Sequence, residues 1–231
     1  MILQNIEIGK HLYWKFLGFF LHGQVILMCW FISILLLLIA FLGFFKINII
    51  PNDFQNFNEI IILFLIDLTE NQLGQNHYKE WLPFIGTLFL FILISNCIGE
   101  ILPLKLIKLP ESELNSPTND LNTTIALSLL TSFSYFYAGI SKKGIYYFKK
   151  YFHPSPFFLP LNILEDFTKP LSLSFRLFGN VLADELIIVV LTSLIPIFIP
   201  LPFIVLSFFS GSIQALIFSI LSTNYIAESL E

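Results

Sequence analysis

Five long apolar runs, separated by shorter polar stretches, organise this 231-residue chain. They fall at 25–45, 81–104, 121–140, 161–198 and 203–229. A bilayer core of about 30 Å needs about 20 apolar helical residues, so each run is long enough to span it. The first exceeds the roughly 7–15 residues of a signal-peptide core, and no small-residue cleavage site follows it, so it reads as a retained helix. Residues 1–24 form a partly polar lead-in carrying Glu7, Lys10, His11, Lys15 and His22. The second run is apolar apart from Glu100. The third is uncharged but carries Asn122, Thr123, Thr124, Ser128, Thr131, Ser132 and Ser134, which suits the inside of a helix bundle better than lipid. The fourth is too long to stand upright: nearly 40 residues at 1.5 Å each reach about 57 Å, almost twice the hydrocarbon thickness. It must tilt strongly or leave the bilayer in part, and Pro196, Pro200 and Pro202 mark the turn into the last helix. The expected fold is an all-α integral membrane protein, a single membrane domain over 1–231, ending in a long, strongly tilted helix hairpin.

Between the first two spans, 54–73 places Glu59, Asp67 and Glu70 within about 100° of one another on a helical wheel, against a broad Ile/Leu/Phe surface. The pattern predicts an interfacial amphipathic helix; the competing reading, a crossing helix over Ile60 to Leu68, is too short. Lys142, Lys143, Lys149 and Lys150 crowd one short loop, which the positive-inside rule assigns to the negative, proton-poor side. Five spans then put the N-terminus on the opposite side and the C-terminus on the side of the lysines. His77 and His153 fall in loops and read as surface residues.

Composition agrees with this class: 56% hydrophobic, 12% charged and a mean hydropathy of +0.80 lie far from a soluble domain. The net charge of -4 is not gathered into a polybasic face, which argues against a nucleic-acid partner. Cys29 and Cys97 sit in apolar runs as small hydrophobes and make neither a disulfide framework nor a metal site. With no nucleophile–base pair, metal-ligand cluster or glycine-rich phosphate loop in the sequence, no cofactor is expected, and the chain is not expected to be an enzyme by itself.

Candidate chemistry concentrates in one place. Residues 186–227 contain no Asp, Glu, Lys, Arg or His, so Arg176, Asp184 and Glu185 stand at the mouth of a long apolar hairpin. A charge near the bilayer centre costs roughly 3 kcal/mol on insertion scales, so it faces protein or an aqueous cavity. At about 100° per residue, Lys169, Ser172, Arg176 and Asn180 form one polar stripe, with Asp184 about 80° round from Arg176 and Glu185 about 180° away. Arginine stays protonated, so Arg176 cannot relay a proton. It can attract a carboxylate, favour release of that group's proton and block a continuous water wire. The competing role is a salt bridge to Asp184 or Glu100 that only holds helices together, although positions i+3 and i+4 from Arg176 are Gly179 and Asn180. Gly179 is open to a similar reading, as a small residue that admits a neighbouring helix.

Leu173-Ser-Phe-Arg-Leu-Phe-Gly-Asn180, then Ala183-Asp-Glu185 and Ser212-Ile-Gln-Ala-Leu-Ile-Phe218, closely resemble subunit a of F-type ATP synthases. Glu7-Ile-Gly-Lys-His-Leu-Tyr-Trp14, Trp81-Leu-Pro-Phe-Ile-Gly-Thr87, Pro117-Thr-Asn-Asp-Leu-Asn-Thr-Thr124, Tyr135-Phe-Tyr-Ala-Gly139 and Asn162-Ile-Leu-Glu-Asp-Phe-Thr-Lys-Pro170 extend the resemblance over the whole chain, toward the plastid and cyanobacterial branch. The resemblance implies a stationary proton-channel subunit. Its partners would be a rotor ring of small c-type subunits, peripheral-stalk b-type subunits, the rest of the synthase, the lipid bilayer and protons. Arg176 would face the ring's carboxylates, Asn180 and Gln214 would line that interface, and Glu185 would serve the inlet half-channel on the proton-rich side. Lys169, Ser172 and Glu165 would lie nearer the outlet, and Asp184 and Glu100 would be further channel-lining candidates, Glu100 on the entry side. The implied location is a chloroplast thylakoid membrane, N-terminus in the lumen and C-terminus in the stroma, with a cyanobacterial thylakoid as the alternative. Two positions depart from the family pattern. Glu100 stands where bacterial relatives tend to have an acid and plastid ones a small residue, and Ser207 stands where some bacterial members have a histidine.

A secondary transporter with Arg176 as an anion site is the competing function. It would expect inverted repeat halves and broken helices around the site, and no repeat is evident.

Overall fold

The computed structural model describes residues 13–16, 19–44, 51–101, 108–109, 112–113, 116–152, 156–194 and 200–230. Five helices carry the chain: α1 Gly23–Phe44, α2 Asp53–Ile101, α3 Leu121–Lys143, α4 Leu159–Leu194 and α5 Pro200–Leu230. Each is long and apolar enough to cross a membrane, so the all-α membrane architecture stands. Among the described residues, extended chain is confined to two short antiparallel hairpins, β1 Tyr13–Phe16 with β2 Phe19–His22 and β3 Lys108–Leu109 with β4 Ser112–Glu113. The lysine-rich loop after α3 is a 3-10 stretch, Gly144–Phe152.

In α2 the boundaries differ from the sequence reading. The chain is helical from Asp53 to Ile101 and breaks once, at Gly74 (φ 70°, ψ 171°). Glycine adopts a positive φ without the Cβ clash other residues meet, so the break falls there. Residues 75–80 contain neither Gly nor Pro, and the second arm therefore starts well before the expected position 81. His77 lies in this arm and not in a loop; His153 and residues 102–104 lie outside the described residues. The first arm packs on the second. Leu65 joins the core of Leu88, Phe89 and Ile92, and the rings of Phe64 and Phe89 lie 5.9 Å apart. Leu65, Thr69 and Leu73 form its buried stripe at four-residue spacing, while Glu59 and Asp67 stay exposed.

Other helix ends move for local reasons. α3 runs past 140 because Lys142 and Lys143 favour the negative end of the helix dipole, and Gly144 stops it at φ 59°. α5 begins at Pro200 and not at 203, since a proline in the first turn loses no intrahelical bond. Inside α4, Pro170 withholds the N–H that would bond the Asp166 carbonyl, and the Tyr135 hydroxyl donates to that carbonyl at 3.3 Å.

One core unites α2, α4 and α5 through Ile92, Leu173, Leu177, Ala215 and Phe218; a second gathers Leu73, Ile85, Tyr135 and Ile226. Of the polar residues of α3, Thr124, Ser128, Thr131 and Ser132 are buried as expected, Thr123 and Ser134 are part-buried, and Asn122, in the first turn, is exposed. Each buried hydroxyl donates to a carbonyl three or four residues back, which satisfies it without water. α4 is about 54 Å long at 1.5 Å per residue, and only 11% of its most apolar stretch is buried by the chain itself. The helix that carries the charged stripe is thus the one with the most surface left for something else.

Candidate functional site

Arg176 projects from α4 into the open and makes no hydrogen bond or ion pair with any described residue. The bridge to Asp184 that the sequence left open is not formed, and the Glu100 side chain lies outside the described residues. Gly179 and Ala183 are exposed too, and a Cβ added at Gly179 would meet nothing within 4 Å. Among the described residues, no helix uses the close approach that glycine permits there.

Two amides flank this face. Ser210 on α5 donates to Asn180 Oδ1 at 2.9 Å, fixing the antiparallel register of α4 and α5. One turn along each helix from that bond, Arg176 and Gln214 come level. Asn180 Nδ2 and Gln214 Nε2 are buried donors without a hydrogen-bond partner, a state that costs about 1–3 kcal/mol apiece. Around Arg176 the α4–α5 pair thus holds an unpaired cation and two unused donors. Arg176 at the surface and the two amides just beneath it lack an acceptor among the described residues.

Toward the C-terminal end of α4, a narrow cleft of about 10 Å3, on the order of a single water, is lined by Asp184, Glu185, Asn96, Ser116, Ser207 and Gly211. Asn119 Nδ2 donates to Glu185 Oε2 at 2.6 Å. Asn96 Nδ2 donates to the Gly211 carbonyl at 3.0 Å, and a Cβ on Gly211 would come within 3.1 Å of Asn96 Cβ. Only glycine lets α2 and α5 approach so closely. Asn96 Oδ1 in the lining and Asn119 Oδ1 beside it are buried without a hydrogen-bond partner among the described residues, which marks this cleft as polar and able to hold water. Beside it, Asp120 caps α3 by accepting from Asn122 N at 3.1 Å, and its other oxygen lies 2.8 Å from His22 Nδ1.

Toward the N-terminal end of α4, Lys169 binds Glu228 at 2.9 Å and Glu165 at 3.1 Å, with Asp166 at 3.9 Å. Its ammonium also lies 5.4 Å from the centre of the Tyr225 ring. Tyr151 donates to the Asp166 carboxylate, and Asn162 donates to the Tyr151 carbonyl at 3.2 Å. Burial first, and then the Asp166 carboxylate, push the neighbouring Tyr147 hydroxyl up to about 12. Ser172 is exposed one turn from Arg176 and makes no hydrogen bond with any described residue.

Of the residues singled out in the sequence, the structure brings Asp184 and Glu185 to one cleft, Lys169 and Glu165 to one cluster, and Arg176, Asn180 and Gln214 to neighbouring turns of α4 and α5; Asn96, Asn119, Asp166 and Glu228 join these groups without having been singled out. Glu228 was within reach: it lies 14 residues after Gln214, about four turns, and so on the same face of α5. Asn119 carried no local signal, because its partner is 66 residues away.

The ATP synthase A chain family model matches residues 26–227. The chain is 55% identical over 231 residues to a protein described as ATP synthase subunit a, chloroplastic, from Bigelowiella natans, covering 99% of this chain and 94% of that one. With the match running through every helix, from α1 to α5, the chain belongs to the ATP synthase A chain family.

Proposed function

We propose that this chain is the stationary proton-conducting subunit of the membrane sector of an F-type ATP synthase, seated in a plastid thylakoid membrane with the lysines of Gly144–Phe152 on the stromal side. Family membership supports the coarse assignment. The observation that carries the finer one is an unpaired, outward-facing Arg176 with a separate acid cluster on either side of it along α4. Glu185 is nine residues from Arg176 and Lys169 is seven, so at 1.5 Å per residue the clusters sit about 13 Å and 10 Å away.

Protons enter from the lumen through the cleft at Asp184 and Glu185 and are handed to a carboxylate of a rotor ring of small c-type subunits. The neutral carboxyl then turns through lipid. On its return it meets the fixed charge of Arg176, which stabilises the ionised form and so favours proton loss toward Glu165, Lys169 and Glu228. Asn180 and Gln214 offer donors to the ring carboxylate as it passes. Because arginine does not give up its own proton, the two water paths stay separate, and the membrane potential, about 2.3 kcal/mol per charge per 100 mV, drives rotation instead of leak. Nucleotide chemistry belongs to other subunits of the synthase, and b-type stalk subunits hold this one still. The test is mild-detergent purification from thylakoids: copurification with a ring of small hairpin subunits is expected. A chain that purifies without one would return the anion-transporter reading.

A further inference from the structure

A cleft of about 680 Å3 lies between the second arm of α2 and α3, within the roughly 300–1,000 Å3 range of ligand pockets. It shares no residue with the Arg176 stripe. α2 packs mainly on α5, and α3 on α4 and α5, so the gap between α2 and α3 stays open above a floor of Ala138 and Leu230. Its two ends differ in chemistry. Lys142, Ser141, His77 and Glu80 surround one end, and Phe84, Leu130 and Phe133 line the other. From Leu130 to Lys142 the wall runs about 18 Å along α3, close to the depth of one leaflet, about 15 Å. Phe133 and Tyr137 are 71% and 69% exposed, so the cleft opens sideways. Trp81 and Tyr137 meet edge-on at 6.4 Å where apolar wall gives way to polar rim, the level at which aromatic belts lie.

We propose that this cleft binds one anionic glycerolipid, with an acyl chain along Leu130, Phe133 and Phe84 and its headgroup against Lys142. The positive excess at this end favours an anion: Lys142 is 3.4 Å from His77 Nε2, which leaves further ammonium protons to donate, and with Lys143 at the same helix end, outside the lining, two ammonium groups stand against the one Glu80 carboxylate. Basic pockets between membrane helices recognise acidic headgroups in this way. Glu80 on the opposite rim repels a second negative charge and accepts from hydroxyls, so the fitting headgroup is a singly charged one that carries hydroxyls, such as phosphatidylglycerol. A partner's membrane helix would continue across the whole bilayer, whereas the lined wall ends near mid-membrane.

The test uses the assembled complex in nanodiscs with a photoreactive Tyr137→benzoylphenylalanine. Irradiation in phosphatidylglycerol is expected to give one lipid adduct per chain, reduced at least about fivefold in phosphatidylcholine or by Lys142→Glu, the factor expected for one basic residue at an anionic headgroup. Lys142→Arg should retain the adduct, and millimolar inorganic phosphate should not compete, since it lacks the acyl chain. Equal adducts in both lipids would overturn the proposal, as would a crosslink to a partner polypeptide in place of lipid or an adduct that phosphate alone removes.

Discussion

Asn119 Nδ2 donates to Glu185 Oε2 across 2.6 Å, so the turn that opens α3 holds an acid of α4 on the side away from Arg176. A hydrogen bond this short fixes the direction of the carboxyl as well as its position. The acid is thereby presented to the cleft and cannot swing round to neutralise the arginine. Separation of Glu185 from Arg176 is what the proposed inlet role of Glu185 requires.

Glu185→Gln keeps the shape and deletes only the ionisable group. Passive proton flux through complexes stripped of their soluble head should fall by roughly 100-fold, the low end for loss of a positioned acid–base group. Flux unchanged at every pH would make Glu185 structural and pass its role to Asp184.

Asn119→Ala removes the donor but not the acid, so its flux should fall less than that of Glu185→Gln. The double variant should be no worse than Glu185→Gln alone, because residues acting as one unit are non-additive. Fully additive losses would mean that Asn119 acts on something other than Glu185.

Two glycines should respond in opposite ways. Gly211→Leu forces a side chain against Asn96 and should destabilise the subunit by about 1–3 kcal/mol, read as a lower unfolding midpoint. At Gly179 an added Cβ meets no described residue within 4 Å, so with Gly179→Leu the isolated subunit should keep its unfolding midpoint while the purified complex loses its ring. An unchanged ring content in Gly179→Leu would remove the rotor from this face.

Lys169→Ala leaves Glu165 and Glu228 without their cation. Those acids are 55% and 42% exposed, so the stability change should be at most about 1 kcal/mol. Proton release on the stromal side should slow instead, seen as a lower synthesis rate at an unchanged unfolding midpoint. A large drop in midpoint would make the cluster a structural clasp.

Much of this arrangement was written locally. Apolar runs located all five spans, and the 3.6-residue repeat put Lys169, Arg176 and Asn180 on one stripe, because both signals depend only on neighbouring residues. The start of the second arm of α2 differs from its expected position at 81 for the opposite reason: residues 75–80 are polar enough to read as loop, yet nothing in them opposes helix. Contacts joining distant segments, Asn119 with Glu185, Asn96 with Gly211 and Thr124 with Ser174, left no trace in spacing. The motifs around them could be matched to a family, but their geometry depends on how α2, α3, α4 and α5 meet.

Arg176 carries the central claim, and Arg176→Lys tests it most directly, because lysine keeps the charge but lacks the planar fork and permanent protonation of arginine. Coupled ATP synthesis should be measured in thylakoid membranes where the variant complex has assembled normally. The expected result is loss of synthesis with the complex intact; synthesis near the unmodified rate would contradict the account and leave Arg176 outside the mechanism.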